Sequence, residues 1–235
     1  MIISEKKDFG KGAVLAASFL VVLGVMFSPV FEGGNAFKAA DKLFNSIAKG
    51  SSYYMPAVAK EAASFEGTLF EVTIALKAPE MTRHAKTVLA RAGAEVTEAA
   101  YDLKVRGDLG RLTKTCLEDA EAMFHNQESR VSDRYGIAGK DALVTWWHVL
   151  NLTAKDLTRQ ERFKEAAYLE QVMKKGVEVG YNFFGIEPKK ASTKAGILTF
   201  ALAFYVLYTL WWGYAILYLF HGLGLEMKAS AKKEV

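Results

Sequence analysis

The side chains best suited to chemistry in this sequence are four histidines, one cysteine (Cys116) and an unusual tripeptide, Trp146-Trp147-His148. Adjacent tryptophans beside an imidazole can line a ligand pocket or an interface, because each indole offers a broad apolar face and one N–H donor. Leu143, Leu150 and Leu157 stand at helical spacings around them. One indole is therefore expected in a core, with the other and His148 turned outward. Metal binding by His125 or His148 with Glu118, Glu121 and Glu128 lacks a recognised spacing such as His-Glu-x-x-His. A single cysteine excludes an internal disulfide, multi-cysteine zinc and iron–sulfur sites and c-type haem attachment. His84 stands apart from these, and His221 has no second histidine in the other apolar segment to complete a membrane b-haem. No cofactor and no metal are expected.

Catalysis has equally little support. No serine sits in a nucleophile elbow and no glycine-rich phosphate loop follows a strand. Gly107-Asp108-Leu109-Gly110 suggests an anion site at a helix start, but Asp108 places negative charge where the anion would bind, so a strand–helix boundary with an Asp cap is expected. The pairs Glu118/Asp119 and Glu165/Glu170 lie among lysines and arginines and read as solvated helix faces. Asn151-Leu152-Thr153 matches a glycosylation acceptor but falls inside an expected helix.

The elements that carry these residues fall into separate regions. Mean hydropathy is +0.08 although 24% of residues are charged, so the apolar residues must be concentrated. They are: 12–31 contains no charged residue or histidine, and 195–225 contains only His221. A bilayer core about 30 Å thick needs about 20 apolar residues, and both runs suffice. The expected organisation is an N-terminal segment 1–11, a transmembrane helix 12–31, a soluble domain 32–194, a second transmembrane helix 195–222 and a tail 223–235. Lys6, Lys7 and Lys11 resemble the positive region of a signal peptide, but no small-x-small site follows, so an uncleaved anchor is expected. These lysines, with Lys228, Lys232 and Lys233, put both termini in the cytoplasm, of a bacterial inner membrane by layout, and the domain outside it. The net charge of +4 is interspersed rather than blocked, which argues against nucleic-acid binding.

Within the domain, Phe37, Ala40, Leu43, Phe44 and Ile47 share one face of a helix over 35–49, and a short helix follows over 56–65. Phe70, Val72, Ile74 and Leu76 alternate with Glu71, Thr73, Ala75 and Lys77, the pattern of a half-buried strand. Pro79 opens a helix that Gly93 ends, 95–106 reads as a hairpin turning near Ala99 to Asp102, and Asp108 caps a helix burying Leu109, Leu112, Cys116, Ala120, Met123 and Phe124. The polar stretch 127–139 reads as a loop. The helical stretch 141–184 reads as two helices joined near Lys155 to Thr158, where Thr158 and Glu161 form a capping box. The fold class expected is a membrane-anchored α+β protein, two transmembrane helices flanking a mostly helical domain with a small β-α-β-β-α sheet; the alternative is an all-α bundle.

Tyr205, Tyr208, Trp211, Trp212, Tyr214 and Tyr218 recur along the second apolar helix at spacings of three and four. They form either an interfacial belt or a surface for transmembrane helices of another protein or another copy, with Thr209, Gly213 and Ala215 permitting close approach. The function expected is a non-catalytic accessory or assembly subunit of a membrane complex, a transporter or an electron-transfer complex. The alternatives are an extracytoplasmic ligand-binding or sensory module that signals through a partner, since the tail is too short for a signalling domain, and an enzyme with an unrecognised site.

Overall fold

The computed structural model describes residues 3–31, 33–99 and 102–225. The hairpin tip at 100–101 and the tail lysines Lys228, Lys232 and Lys233 lie outside the described residues. The chain divides into two compact units, Met1–Ile47 with Lys189–Val235, and Ala48–Pro188. It is mostly helical with one small three-stranded antiparallel sheet.

The first unit contains α1 (Lys6–Phe27), all but the last turn of α2 (Ala36–Ser51) and α10 (Ala195–Gly222), which a 3-10 turn at Ala191–Lys194 precedes. α1 starts six residues before its apolar run and stops at Phe27, because Pro29 pushes Ser28 into an extended conformation (ψ 155°). Both α1 and the 191–222 segment are long and apolar enough to cross a membrane, with mean hydropathies of 2.0 and 1.6. Few residues of either helix are fully buried, whereas the core helix of a soluble protein is mostly buried.

The second unit holds the sheet. Its order along the chain after α3 (Met55–Ala62) and a 3-10 turn is β1 (Leu69–Ala75), α4 (Pro79–Arg91), β2 (Glu95–Ala99), β3 (Asp102–Asp108) and α5 (Leu109–Phe124). This is the expected β-α-β-β-α series, with β3 central and antiparallel to both neighbours; Val72 and Val96 each stand opposite Val105. Phe70, Val72, Ile74, Leu103 and Val105 are buried on one face, while Glu71 pairs with Lys104 on the other at 2.7 Å. The helical alternative for 67–77 fails because strict alternation leaves a half-apolar surface that only a sheet can use.

The free edge of β1 is closed by side chains rather than by another strand. The Thr73 amide donates to Asp156 Oδ2 (3.2 Å), and the Glu71 and Leu69 carbonyls accept from Gln160 Nε2 (2.8 Å) and Arg162 Nη1 (3.0 Å). An edge satisfied in this way cannot template pairing with another chain.

Two expectations are corrected. Residues 127–139 are not all loop: α6 spans Glu128–Tyr135, anchored by buried Val131 and Tyr135 and ended by Gly136 in the left-handed region. Its two apolar positions were too few to mark a period. The Thr158/Glu161 capping box does not form either. α7 (Gly139–Arg159) continues through Thr158, whose hydroxyl donates back to the Ala154 carbonyl at 2.8 Å. Glu161 lies at φ 61°, and the Glu161 and Arg162 amides donate to the Thr158 and Leu157 carbonyls, a Schellman ending. α8 (Phe163–Val172), a π-helical turn and α9 (Glu178–Phe183) complete the unit.

Candidate functional site

α1 and α10 meet along an aromatic seam. The Phe19 ring is stacked at 4.3 Å on Tyr208 and lies 4.5 Å from Trp212, with Trp211 edge-on at 6.3 Å. The Trp211 indole donates to the Leu15 carbonyl (3.1 Å), so its one polar atom is satisfied inside the pair. Toward the end that holds the chain termini, the backbones close in. A Cβ on Gly12 would stand 2.6 Å from the Leu219 amide, and one on Gly222 would stand 2.5 Å from the Phe9 amide. The Gly222 carbonyl accepts from the Ser4 and Glu5 amides, Asp8 pairs with His221 (2.8 Å) and Lys11 (2.9 Å), and Lys11 lies over the Tyr218 ring.

The six aromatic residues singled out on α10 therefore divide. Tyr208, Trp211, Trp212 and Tyr218 engage α1 or its charged end. Tyr205 (66% exposed) and Tyr214 (53%) do not, and flank the seam on either side. Opposite the seam, Leu202, Val206, Thr209, Gly213 and Leu217 follow one another at spacings of three and four and are exposed. Ala215 is fully buried, whereas a Cβ on Gly213 would meet nothing within 4 Å.

In the second unit, Trp146 is the core indole and Trp147 the half-buried one, as expected. Trp147 donates to Glu178 Oε1 (2.9 Å) and meets His148 edge-on at 5.3 Å. Trp146 donates to Asp119 Oδ2 (2.9 Å), which also accepts from the Tyr135 hydroxyl (2.5 Å), while Arg134 Nη1 reaches Oδ1 at 2.7 Å. Asp119 is 1% exposed, so its reading as a solvated surface carboxylate is corrected. The signal was present: Leu112, Cys116, Asp119 and Met123 stand three and four apart on the apolar face of α5. Burial pushes the Asp119 carboxyl up, against the lowering effect of its two hydrogen-bond donors and Arg134. Burial also raises the Cys116 thiol well above its ordinary value, which keeps it an unreactive core side chain. Asp108 caps α5 as expected, accepting from the Arg111 amide (2.8 Å) and the Gly67 amide (2.5 Å).

A second polar junction was not legible in the sequence. Lys49, 2% exposed, donates to the Ile186 (2.5 Å) and Phe183 (3.1 Å) carbonyls over the Phe124 ring, and burial lowers its ammonium. Asn126, at φ 60°, accepts from the Gly185 amide (2.7 Å) and donates to Glu187 Oε1 (3.1 Å). Between α3 and α5 a surface groove of about 270 Å³ is lined by Met55, Ala62, Lys114, Leu117 and Glu118, and is bounded by Glu121, which accepts from the Tyr53 hydroxyl. Among the described residues, no three His, Cys, Asp or Glu side chains are grouped to hold a metal ion. No protein-family model, curated protein or solved structure matches the chain.

Proposed function

We propose that this chain is an integral membrane protein of the bacterial inner membrane that serves as a non-catalytic accessory or assembly subunit of a larger complex, a transporter or an electron-transfer assembly. α10 forms the contact, and the 48–188 unit lies on the extracytoplasmic side. The packing of α1 on α10 supports an anchor that is retained, since cleavage after α1 would strip Phe19 from Tyr208 and Trp212. The observation that carries the reading is the outer side of α10. α1 covers one stripe, leaving Leu202, Val206, Thr209, Gly213 and Leu217 open in a continuous row with a small-residue step at its middle. Small residues let helix backbones approach closely in lipid, where packing rather than the hydrophobic effect drives association. The Tyr205 and Tyr214 phenols flank this row within the apolar span, and a hydroxyl in hydrocarbon gains from a protein partner.

The test is purification of the tagged full chain from its native membrane in mild detergent. A stoichiometric integral membrane partner is expected, and Gly213→Leu is expected to release it without disturbing the α1–α10 pair. Recovery as a lone monomer at native expression, or retention of the partner by Gly213→Leu together with Tyr205→Leu and Tyr214→Leu, overturns the reading.

A further inference from the structure

α2 is an amphipathic helix whose apolar face is left largely open. Its apolar face consists of Phe37, Ala40, Leu43, Phe44 and Ile47, and its opposite face of Lys38, Asn45, Ser46 and Lys49. A surface helix of a soluble protein buries the first and exposes the second. Here Phe37 and Phe44 are each 52% exposed and Ala40 is exposed, while Leu43 and Ile47 are half-buried; of the opposite face Lys38 is exposed and Ser46 is buried. The Ser46 carbonyl accepts from the Lys189 amide at 2.9 Å.

The apolar face also continues into α1. Phe27, the last residue of α1, lies 5.1 Å from the Phe37 ring. Between them Phe31 and Gly34 exchange both backbone hydrogen bonds across a turn with Gly33 at φ 79°, and Val30 (65%) and Phe31 (36%) are exposed beside it. Exposed Lys38, Lys189 and Lys190 provide cationic groups in the same unit.

We infer that α2 is an in-plane membrane helix, with Phe37, Ala40 and Phe44 inserted among the acyl chains of the leaflet at which α1 ends, and Lys38, Lys189 and Lys190 set against anionic headgroups. Such helices lie with their apolar face roughly 5–10 Å into the headgroup boundary. A lipid occupant accounts for three features at once: the open apolar face of Phe37, Ala40 and Phe44, the continuity of apolar surface from Phe27 to Phe37, and the exposed lysines of the same unit. The inference rests on the membrane-anchored reading of α1 and α10 and adds a third membrane contact to it.

The experiment places single cysteines at Phe37, Ala40, Phe44 and Lys38 in the full-length chain, with Val21 and Leu207 as reference sites in α1 and α10. Cys116 is buried and does not compete for label. Each variant carries an environment-sensitive fluorophore and is reconstituted alone into phosphatidylcholine–phosphatidylglycerol vesicles. Quenching is measured with shallow spin-labelled lipid and with aqueous iodide. The expected result is severalfold stronger lipid quenching at 37, 40 and 44 than at 38, with iodide giving the reverse order. Iodide quenching at 37, 40 and 44 equal to that at 38, with Val21 and Leu207 quenched by lipid, overturns the inference and leaves the anchors standing. Protection of 37, 40 and 44 from both quenchers also overturns it, in favour of a protein covering. Iodide access at Val21 and Leu207 overturns the anchored reading itself.

Discussion

The Phe19 ring lies 4.3 Å from the Tyr208 ring at an interplanar angle of 27°, so the first apolar helix has a specific place on the second. Stacked pairs of this kind contribute about 0.5–1.5 kcal/mol beyond the area they bury. Phe19 is also the one large side chain of α1 that is buried, at 7% exposure. The seam turns two apolar segments into one unit and determines which aromatic residues remain free to meet a partner.

Gly12→Leu is expected to open that unit. The new Cβ would stand 2.6 Å from a backbone amide that cannot withdraw, so overpacking of about 1–3 kcal/mol follows. Gly24→Leu, whose Cβ site meets nothing within 4 Å, is the control. The midpoint of unfolding in mixed detergent–SDS micelles reads both; equal midpoints would remove the seam as a stabilising contact.

Asp119→Ala is expected to be among the most damaging changes in the 48–188 unit. It strands the buried Trp146 N–H and Tyr135 O–H and frees Arg134 from its partner. Each unsatisfied buried donor costs about 1–3 kcal/mol, for a total loss of about 3–5 kcal/mol by urea unfolding of the full chain in detergent. A loss below about 1 kcal/mol would show that the network relaxes or hydrates.

Thr153→Val is expected to act in the opposite sense. Thr153 is 1% exposed and its hydroxyl has no hydrogen-bond partner. Replacing an unsatisfied buried hydroxyl with an isosteric methyl should be neutral or stabilising by up to about 1 kcal/mol. A clear destabilisation in the same urea assay would reveal a bound water at that hydroxyl.

Alkaline stability should depend on three phenols, two of them buried. Tyr168 is pushed up to about 12 by burial, Tyr53 to about 12 chiefly by its hydrogen bond to the Glu121 carboxylate, and Tyr135 is raised by burial and by Asp119. The folded state therefore keeps protons that the unfolded chain releases near pH 10, an ordinary tyrosine value. The stability from this source is complete below pH 10 and is lost as pH rises through about 12. Tyrosinate absorbance should show these phenols ionising together with unfolding, and Tyr168→Phe should flatten the fall. Ionisation of all ten tyrosines before any loss of helical circular dichroism would contradict it.

Short-range pattern was enough to establish much of this protein from sequence. Alternation at Phe70 to Leu76, the Asp108 cap, the stripe from Leu109 to Met123 and the bounds of α10 each depend on a local period or a single residue's preference. The same residues could not say which neighbour each face would meet. Asp119 looked solvated because its charge outweighed its position, and it took Trp146, Tyr135 and Arg134, brought in from two other helices, to make a buried carboxylate tenable. Lys49 likewise required carbonyls at 183 and 186 to lose its water. Phe37 and Phe44 were legible as one face, but only the tertiary structure turned that face outward, and only the seam with Phe19 divided the α10 aromatics into engaged and open sets. Periodicity records which side chains share a side. What that side meets depends on contacts between residues distant in sequence, and those exist only once the chain has packed.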